Sequence, residues 1–399
     1  MNIKKIFLYP TKFLNSNHKE KSETKKIIIL LLSSFLFLFL WTNRVKLYPE
    51  NIFLYLEGKI KSFSLTNEFP VKTEGFECLE FAAENPIVIS NTSVNVLNKK
   101  GKIIRTEYHN LNNPKCKSKG IRSIVYDIGG NKFRIESAAK TILEKEIDRN
   151  IISADISSNG TYGILIEPDS GYLSKAVIYN SNGEEKYNYS FSEYHACDIT
   201  LNSSSTNCLI SGVDIENGNI NSMIYILDFK SEKPKNTFKL ENNIVSSVKY
   251  FSNGNILAIG DKYTSVINPV TGNIKNFNYE SKYMKLYSFS EEYGVFLCIS
   301  PSLGKGKNDE IILIDTLGNV GNPIFTTENL KSVSHFKNRI TGLSENDKII
   351  VYDLDGHFEG YIDLEFTAKK IYMCSDSTIY VAKEKSLEKI KINNLKKHS

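Results

Sequence analysis

An apolar strand, an Asn or Asp, a tight turn and a second strand recur along this chain at a spacing of about 40 residues. The unit reads Val96-Leu97-Asn98 before Gly101, Val177-Ile178-Tyr179-Asn180 before Gly183, and Tyr225-Ile226-Leu227-Asp228. It returns as Val266-Ile267-Asn268 before Gly272, Leu313-Ile314-Asp315 before Gly318, and Val351-Tyr352-Asp353 before Gly356. That period is the length of one four-stranded blade, so the chain is expected to be all-β, a WD40/quinoprotein-like β-propeller.

A second marker supports the repeat. Ile152-Ser153-Ala154-Asp155-Ile156 runs into Ser158-Asn159-Gly160, and Lys249-Tyr250-Phe251 runs into Ser252-Asn253-Gly254. Asn-Gly suits a two-residue hairpin because both positions accept positive φ. This is read as the turn between the first and second strands of a blade. The Asn/Asp marker then lies between the third and fourth strands. With Lys132-Phe133-Arg134-Ile135 and Leu387-Glu388-Lys389-Ile390 added, eight third strands can be counted. Eight blades are expected, with seven as the alternative. The chain ends just after the eighth third strand, so the last blade needs an outer strand from upstream. Asn67-Glu68-Phe69-Pro70-Val71-Lys72 is the best candidate, because Pro is tolerated on an edge strand.

The first 26 residues are polar and basic, with seven lysines against two glutamates, a difference equal to the whole formal charge of +5. A dense apolar run from Ile27 to Trp41 follows and stops at Asn43-Arg44. It is near the short end of the ~17–25 residues that a spanning helix needs. No small-residue cleavage site follows it. The expectation is a basic cytoplasmic tail (1–26), a transmembrane anchor (27–43) and a juxtamembrane linker with a short helix from Pro49 (44–66). An extracytoplasmic propeller (67–399) would complete the chain. The lysine excess before the span places the N-terminus inside. The partner there is the cytoplasmic membrane, reached through residues 27–43. The remainder is nearly neutral, which argues against a nucleic-acid partner.

All six cysteines lie beyond the apolar run: Cys78, Cys116, Cys197, Cys208, Cys298 and Cys374. None makes a CxxC or a Cys/His cluster at zinc spacing, so no metal site is expected. Cys197 and Cys208 flank one expected hairpin turn and are a candidate disulfide. The others are read as small buried apolar residues.

The layout resembles an uncharacterised family, a domain of unknown function, of membrane-anchored propellers from clostridia and related Gram-positive bacteria. The matching residues are the anchor, Pro49-Glu50-Asn51-Ile52 with Tyr55-Leu56, Phe69-Pro70-Val71, and Ile124 through Arg134 with its Tyr126-Asp127-Ile128-Gly129-Gly130 stretch. The resemblance implies an extracytoplasmic propeller and no established activity. WD repeats would show recurring Trp-Asp, and quinoprotein propellers a docking Trp in each blade. This chain has a single Trp, inside the apolar run.

No HExxH, GxSxG elbow or P-loop is present. Gly304-Lys305-Gly306-Lys307 lacks the leading glycine and the Ser/Thr of a phosphate loop, and Asp353-Leu354-Asp355-Gly356 lacks the Glu that would complete a calcium loop. Two features remain. The connections between second and third strands at 168–174, 213–221 and 301–308 are long and should share one face of the disc. They carry Asp169, Tyr172, Asp214, Lys305 and Lys307 as candidate binding residues. The first strands, which line a propeller's channel, place polar Asp155, Asp198 and Lys249 toward it. These three are candidates for a charged patch, or else for ion pairs between blades. No catalytic residue and no cofactor is assigned. The expected role is a membrane-tethered binding scaffold for a protein or cell-envelope partner rather than an enzyme. The alternative is an envelope enzyme acting on glycan through acids near the channel.

Overall fold

The structure, a computed structural model, describes residues 11–42, 49–64, 66–168, 171–216, 218–301, 308–392 and 395–397. It divides into two compact units, Met1–Phe53 and Leu54–Ser399.

In the first unit, helix α1 (Thr11–Thr42) begins well inside the expected tail. No Gly or Pro interrupts 11–42, and the lysines and glutamates that precede Ile27 are good helix formers, so the helix propagates through the polar stretch. The side chains from Ile27 to Leu40 are all exposed. Among the described residues, no helix is long and apolar enough to cross a membrane.

The second unit contains eight four-stranded antiparallel sheets. The inner strands of blades 1 to 4 are Cys78–Ala82, Pro114–Lys119, Ile151–Ile156 and His195–Leu201. Those of blades 5 to 8 are Val245–Tyr250, Lys282–Ser290, Leu330–Phe336 and Lys370–Ser375. All eight third strands inferred from the repeat are third strands here. Each blade boundary holds its own apolar cluster, from Ile87, Ile89 and Val125 between blades 1 and 2 to Val71, Leu79 and Tyr380 between blades 8 and 1. The core is thus a closed ring of inter-blade layers, and no blade buries its faces alone.

The ring closes as the missing strand required. Blade 8 runs Lys370–Ser375, Thr378–Ala382, Ser386–Lys391, and then takes Val71–Lys72 as its outer strand. Val71 pairs with Leu387 and Lys72 with Ser386. Phe69 packs its ring 5.5 Å from that of Tyr380. The paired clasp is shorter than the 67–72 expected, and it covers the start of the edge that Ser386–Lys391 would otherwise expose.

The recurring Asn and Asp have a physical job. Asn180 Oδ1 accepts from the N–H groups of Asn182 and Glu184 at 2.9 and 3.0 Å, and Asp315 Oδ1 accepts from Leu317 and Asn319 at 2.8 Å each. Each is a side chain standing in for a turn carbonyl. The Asn-Gly turns differ from expectation. At Ser157–Gly160, Gly160 has φ +89° while Asn159 stays out of the left-handed region. Asn159 Oδ1 instead accepts from Thr161 N at 2.9 Å and Ser157 Oγ at 2.6 Å. The loop is longer than two residues, because Ser157 N–H bonds Thr161 O across it.

Strands alternate in direction within a blade, so every inner strand begins on one face, here the upper. The second-to-third connections share that face, and the first-to-second and third-to-fourth turns lie on the lower one. Helix α2 (Pro49–Lys61) docks on the lower face from Leu54 onward. A Cβ on Gly58 would sit 3.0 Å from Ala138 Cβ, so glycine permits the close approach. Lys59 pairs with Glu84 at 2.7 Å, Lys61 donates to Ala139 O at 2.9 Å, and Asn98 Nδ2 donates to Ser62 O at 2.7 Å. Glu84, Ala139 and Asn98 all belong to lower-face turns.

Candidate functional site

Six of the eight inner strands carry a β-bulge, at Ile152, Cys197, Ser246, Lys285, Lys331 and Cys374. Blades 1 and 2 pair without one. A bulge leaves one residue unpaired and re-aims its neighbours. Ile152, Cys197 and Ser246 thereby face a central cavity of about 550 Å³, lined also by Glu80, Lys117, Asp198, Lys249 and Lys370. Most lining residues come from the first halves of the inner strands, so the cavity lies toward the upper end of the channel.

Asp198 is the most heavily bonded group there. Its Oδ1 accepts from Lys117 Nζ and Ser153 Oγ, both at 2.8 Å. Its Oδ2 accepts from Ser247 Oγ and Val248 N, both at 3.2 Å. One carboxylate of blade 4 therefore ties in blades 2, 3 and 5. Burial opposes its charge, but Lys117 and then Lys249 prevail, and its pKa is held down at about 2. Burial likewise opposes the charge of Lys117, yet Asp198, with Tyr126 and Asp155, raises its pKa. Lys117 also donates to Ile199 O at 3.0 Å.

Asp155 stands beside this group and does not line the cavity. Its Oδ2 accepts from Leu201 N at 2.7 Å, and burial raises its pKa against the pull of Lys117 and Lys249. Elsewhere neutral groups also stitch the inner ring, beside the ion pairs Lys119–Glu291 and Lys285–Glu345. Ser288 Oγ meets His335 Nδ1 at 2.8 Å, Ser334 Oγ accepts from Met373 N at 2.8 Å, and Leu79 N donates to Tyr372 OH at 3.4 Å.

Sequence reasoning missed Lys117 and Glu80. Glu80 lies on the inner strand of blade 1, half-buried, and its carboxyl has no hydrogen bond or ion pair among the described residues. Burial pushes its pKa up to about 7, against the opposing charges of Lys249, Lys370 and Lys117. Lys115, Lys249 and Lys370 line the same cavity without a carboxylate partner among the described residues. A ligand entering from above meets these lysines and a carboxyl whose pKa burial raises.

The remaining candidates do not converge on this site. Asp169, Lys305 and Lys307 lie outside the described residues. Tyr172 is exposed on the upper-face connection of blade 3. Asp214 lies on a strand rather than a loop. The expected connection at 213–221 is mostly an extension of the hairpin Asn207–Glu216 and Asn219–Asp228, with Asp214 paired to Asn221. The Cys197–Cys208 bridge is not formed. The register sets Cys208 against Leu201, and Cys208 is buried between blades 3 and 4, whereas Cys197 occupies the bulge and faces the channel. All six cysteines are free thiols.

Asp353, Asp355 and His357 bring ligand atoms within 4.8 Å of one another. Asp353 uses its carboxylate on the turn itself, accepting from His357 N at 2.8 Å and meeting His357 Nδ1 at 2.9 Å. His109 is also structural, with Nε2 at 3.1 Å from Ser90 O and Nδ1 accepting from Leu111 N at 3.2 Å.

A family model described as a family of unknown function (DUF5711) matches residues 58–392. No curated protein matches the chain. Among solved structures, the chain is similar to the computationally designed Ika8 protein, at 10% identity and a TM-score of 0.59, over 82% of this chain and 99% of that one. It is similar to BamB from Moraxella catarrhalis at 11% identity and TM-score 0.53, over 82% and 100%. The C-terminal WD40 domain of Sif2 aligns at 11% identity and TM-score 0.60, over 83% and 100%. At such identities the likeness is one of fold alone.

Proposed function

The chain belongs to the DUF5711 family of unknown function, and from that premise we propose that it is a membrane-tethered, extracytoplasmic propeller that binds a cell-envelope partner at the upper mouth of its channel. One observation carries this reading: the juxtamembrane helix and the cavity occupy opposite faces of the disc. Helix α2 holds the lower face through Gly58, Lys59 and Lys61. The cavity lies toward the upper face.

The tether itself rests on the uncovered apolar side chains of Ile27–Leu40, which water does not favour, and on the lysine-rich flank before them. Leu56, Ile60 and Phe63 support it from the second unit. Leu56 and Ile60 lie on α2 and Phe63 just beyond its end, and they stay 51%, 78% and 71% exposed. The cavity's unpartnered lysines select a ligand that carries anionic groups.

The glycan-hydrolase reading has one observation in its favour. Glu80 with a pKa of about 7 and Asp198 at about 2 share an open cavity, the split that assigns an acid and a carboxylate base. Binding remains the better reading because four donors occupy Asp198, which leaves it little freedom to activate water.

Intact cells carrying the full chain provide the test. External protease should remove the propeller, and untreated cells should capture soluble poly-glutamate. The double variant Lys249→Met, Lys370→Met should capture it at least about tenfold more weakly, since each desolvated charge contact contributes on the order of 1.5–3 kcal/mol. Protection from protease would overturn the placement. Equal capture by the variant would overturn the site.

A further inference from the structure

We propose that Cys78 and Cys116 are a dithiol pair in the wall of the central cavity that closes to a disulfide on meeting a small-molecule disulfide. The two residues sit on the inner strands Cys78–Ala82 and Pro114–Lys119, neighbours across the boundary of blades 1 and 2. These are the two unbulged inner strands, each regularly paired within its own blade. Cys116 is buried in the apolar cluster at that boundary, and Cys78 packs against the same cluster. Both line the cavity. The neighbouring Cys78 thiol, together with burial, lifts the Cys116 thiol well above its ordinary pKa.

The other four cysteines are placed differently. Cys208 and Cys298 are sealed within inter-blade clusters. Cys197 and Cys374 approach the main-chain oxygens of His195 and Thr378, at 3.5 and 3.4 Å. Among the described residues, Cys78 and Cys116 are the two cysteines that share both one apolar cluster and the cavity wall.

The cavity gives a small oxidant a route to Cys78, the more exposed of the two. The Cys78 thiolate attacks one sulfur of RSSR, forming a mixed disulfide and releasing RS⁻. Cys116 gives up its proton, and its sulfur attacks the Cys78 sulfur, releasing the second RS⁻. The two thiol protons end on the two departing thiolates. The pair is oxidised by two electrons and RSSR is reduced to two RSH. The high pKa of Cys116 makes the second step the slow one, because only the thiolate attacks. The product links blades 1 and 2 covalently beside Glu80, in a compartment where disulfides persist if the exported placement holds.

The test uses the full chain in lipid nanodiscs and needs no ligand, so its outcome is independent of the binding reading. The protein is incubated with bis(2-hydroxyethyl) disulfide, quenched with acid, alkylated in denaturant and proteolysed without reduction. A peptide joining Cys78 to Cys116 is expected, with these two cysteines protected from alkylation and released by dithiothreitol. Cys197→Ser should leave the linkage unchanged, and Cys116→Ser should trap Cys78 as its mixed disulfide. If Cys78 and Cys116 are alkylated as fully after oxidation as before, the proposal fails. It fails equally if Cys78 is recovered joined to Cys197 or Cys374 as often as to Cys116.

Discussion

Two carboxyl groups share the central cavity and live under opposite rules. Asp198, on blade 4, receives donors from Lys117, Ser153, Ser247 and Val248 and is ionised with a pKa of about 2. Glu80, on blade 1, receives none among the described residues and is pushed up to about 7. Burial acts upward on both. At Asp198 the charges of Lys117, which is bonded to it, and of Lys249 outweigh burial, whereas at Glu80, with cations near but none bonded, burial wins. Asp198 serves the ring and Glu80 is left for whatever enters it. The harshest way to break this comparison is Asp198→Ala. It strands Lys117 in the channel wall and should cost about 3–5 kcal/mol of unfolding free energy in urea. A cost below about 1 kcal/mol would mean that Asp198 ties nothing together.

The second prediction concerns the sign of a pH dependence. The folded-state pKa of Glu80 lies above the ordinary carboxylate value. Its protonated form therefore favours the fold. That contribution is complete below about pH 4.5 and is lost as pH rises through about 7. Glu80→Gln keeps the shape and abolishes the titration. The melting temperature of the parent chain should fall relative to the variant between pH 5 and pH 8. The difference should amount to on the order of 1–3 kcal/mol, reduced from the full linkage value because the carboxyl is partly solvated. Parallel pH curves for the two proteins would remove Glu80 from the account.

The contrast also marks what could be read from the amino acids alone. The turn residues were legible because Asn180 and Asp315 act on their own backbone two and four residues ahead, a purely local job. The clasp was legible because a missing strand is a counting problem, and Val71 pairs with Leu387 accordingly. Asp198 and Lys249 were reachable through the alternation of the first strands. Glu80 and Lys117 were not. In Cys78-Leu79-Glu80-Phe81-Ala82 the acid looks like any polar residue of a half-buried strand, and only ring closure brings blade 8 with Lys370 beside blade 1. The bulge at Cys197 was hidden too, since one inserted residue shifts the register without altering the composition of the strand. The hairpin disulfide that looked reasonable by spacing fails on register: Cys208 sits opposite Leu201, four residues along the strand from Cys197.

The smallest expected effect is the sharpest, because it links the two carboxyls. Lys249 lies among the charges that lower both pKa values, as the foremost for Glu80 and second to Lys117 for Asp198. It forms no direct ion pair with either, so its influence is Coulombic and acts across the cavity. Lys249→Met removes the charge and keeps most of the stem. Both carboxyls should then titrate higher, each by less than about one pH unit, since only a contacting cation shifts a carboxylate by 1–3. The ordering discriminates. The shift at Glu80 should exceed that at Asp198, because Lys117 remains bonded to Asp198 and nothing remains bonded to Glu80. Carbon-13 shifts of labelled Asp and Glu side chains, followed against pH in the parent and the variant, report the two titrations separately. Raising the salt concentration should shrink the Glu80 shift more than the Asp198 shift, as the more solvated of the two interactions is the better screened. A larger shift at Asp198 would reverse the assignment of which carboxyl belongs to the ring and which is open to a ligand.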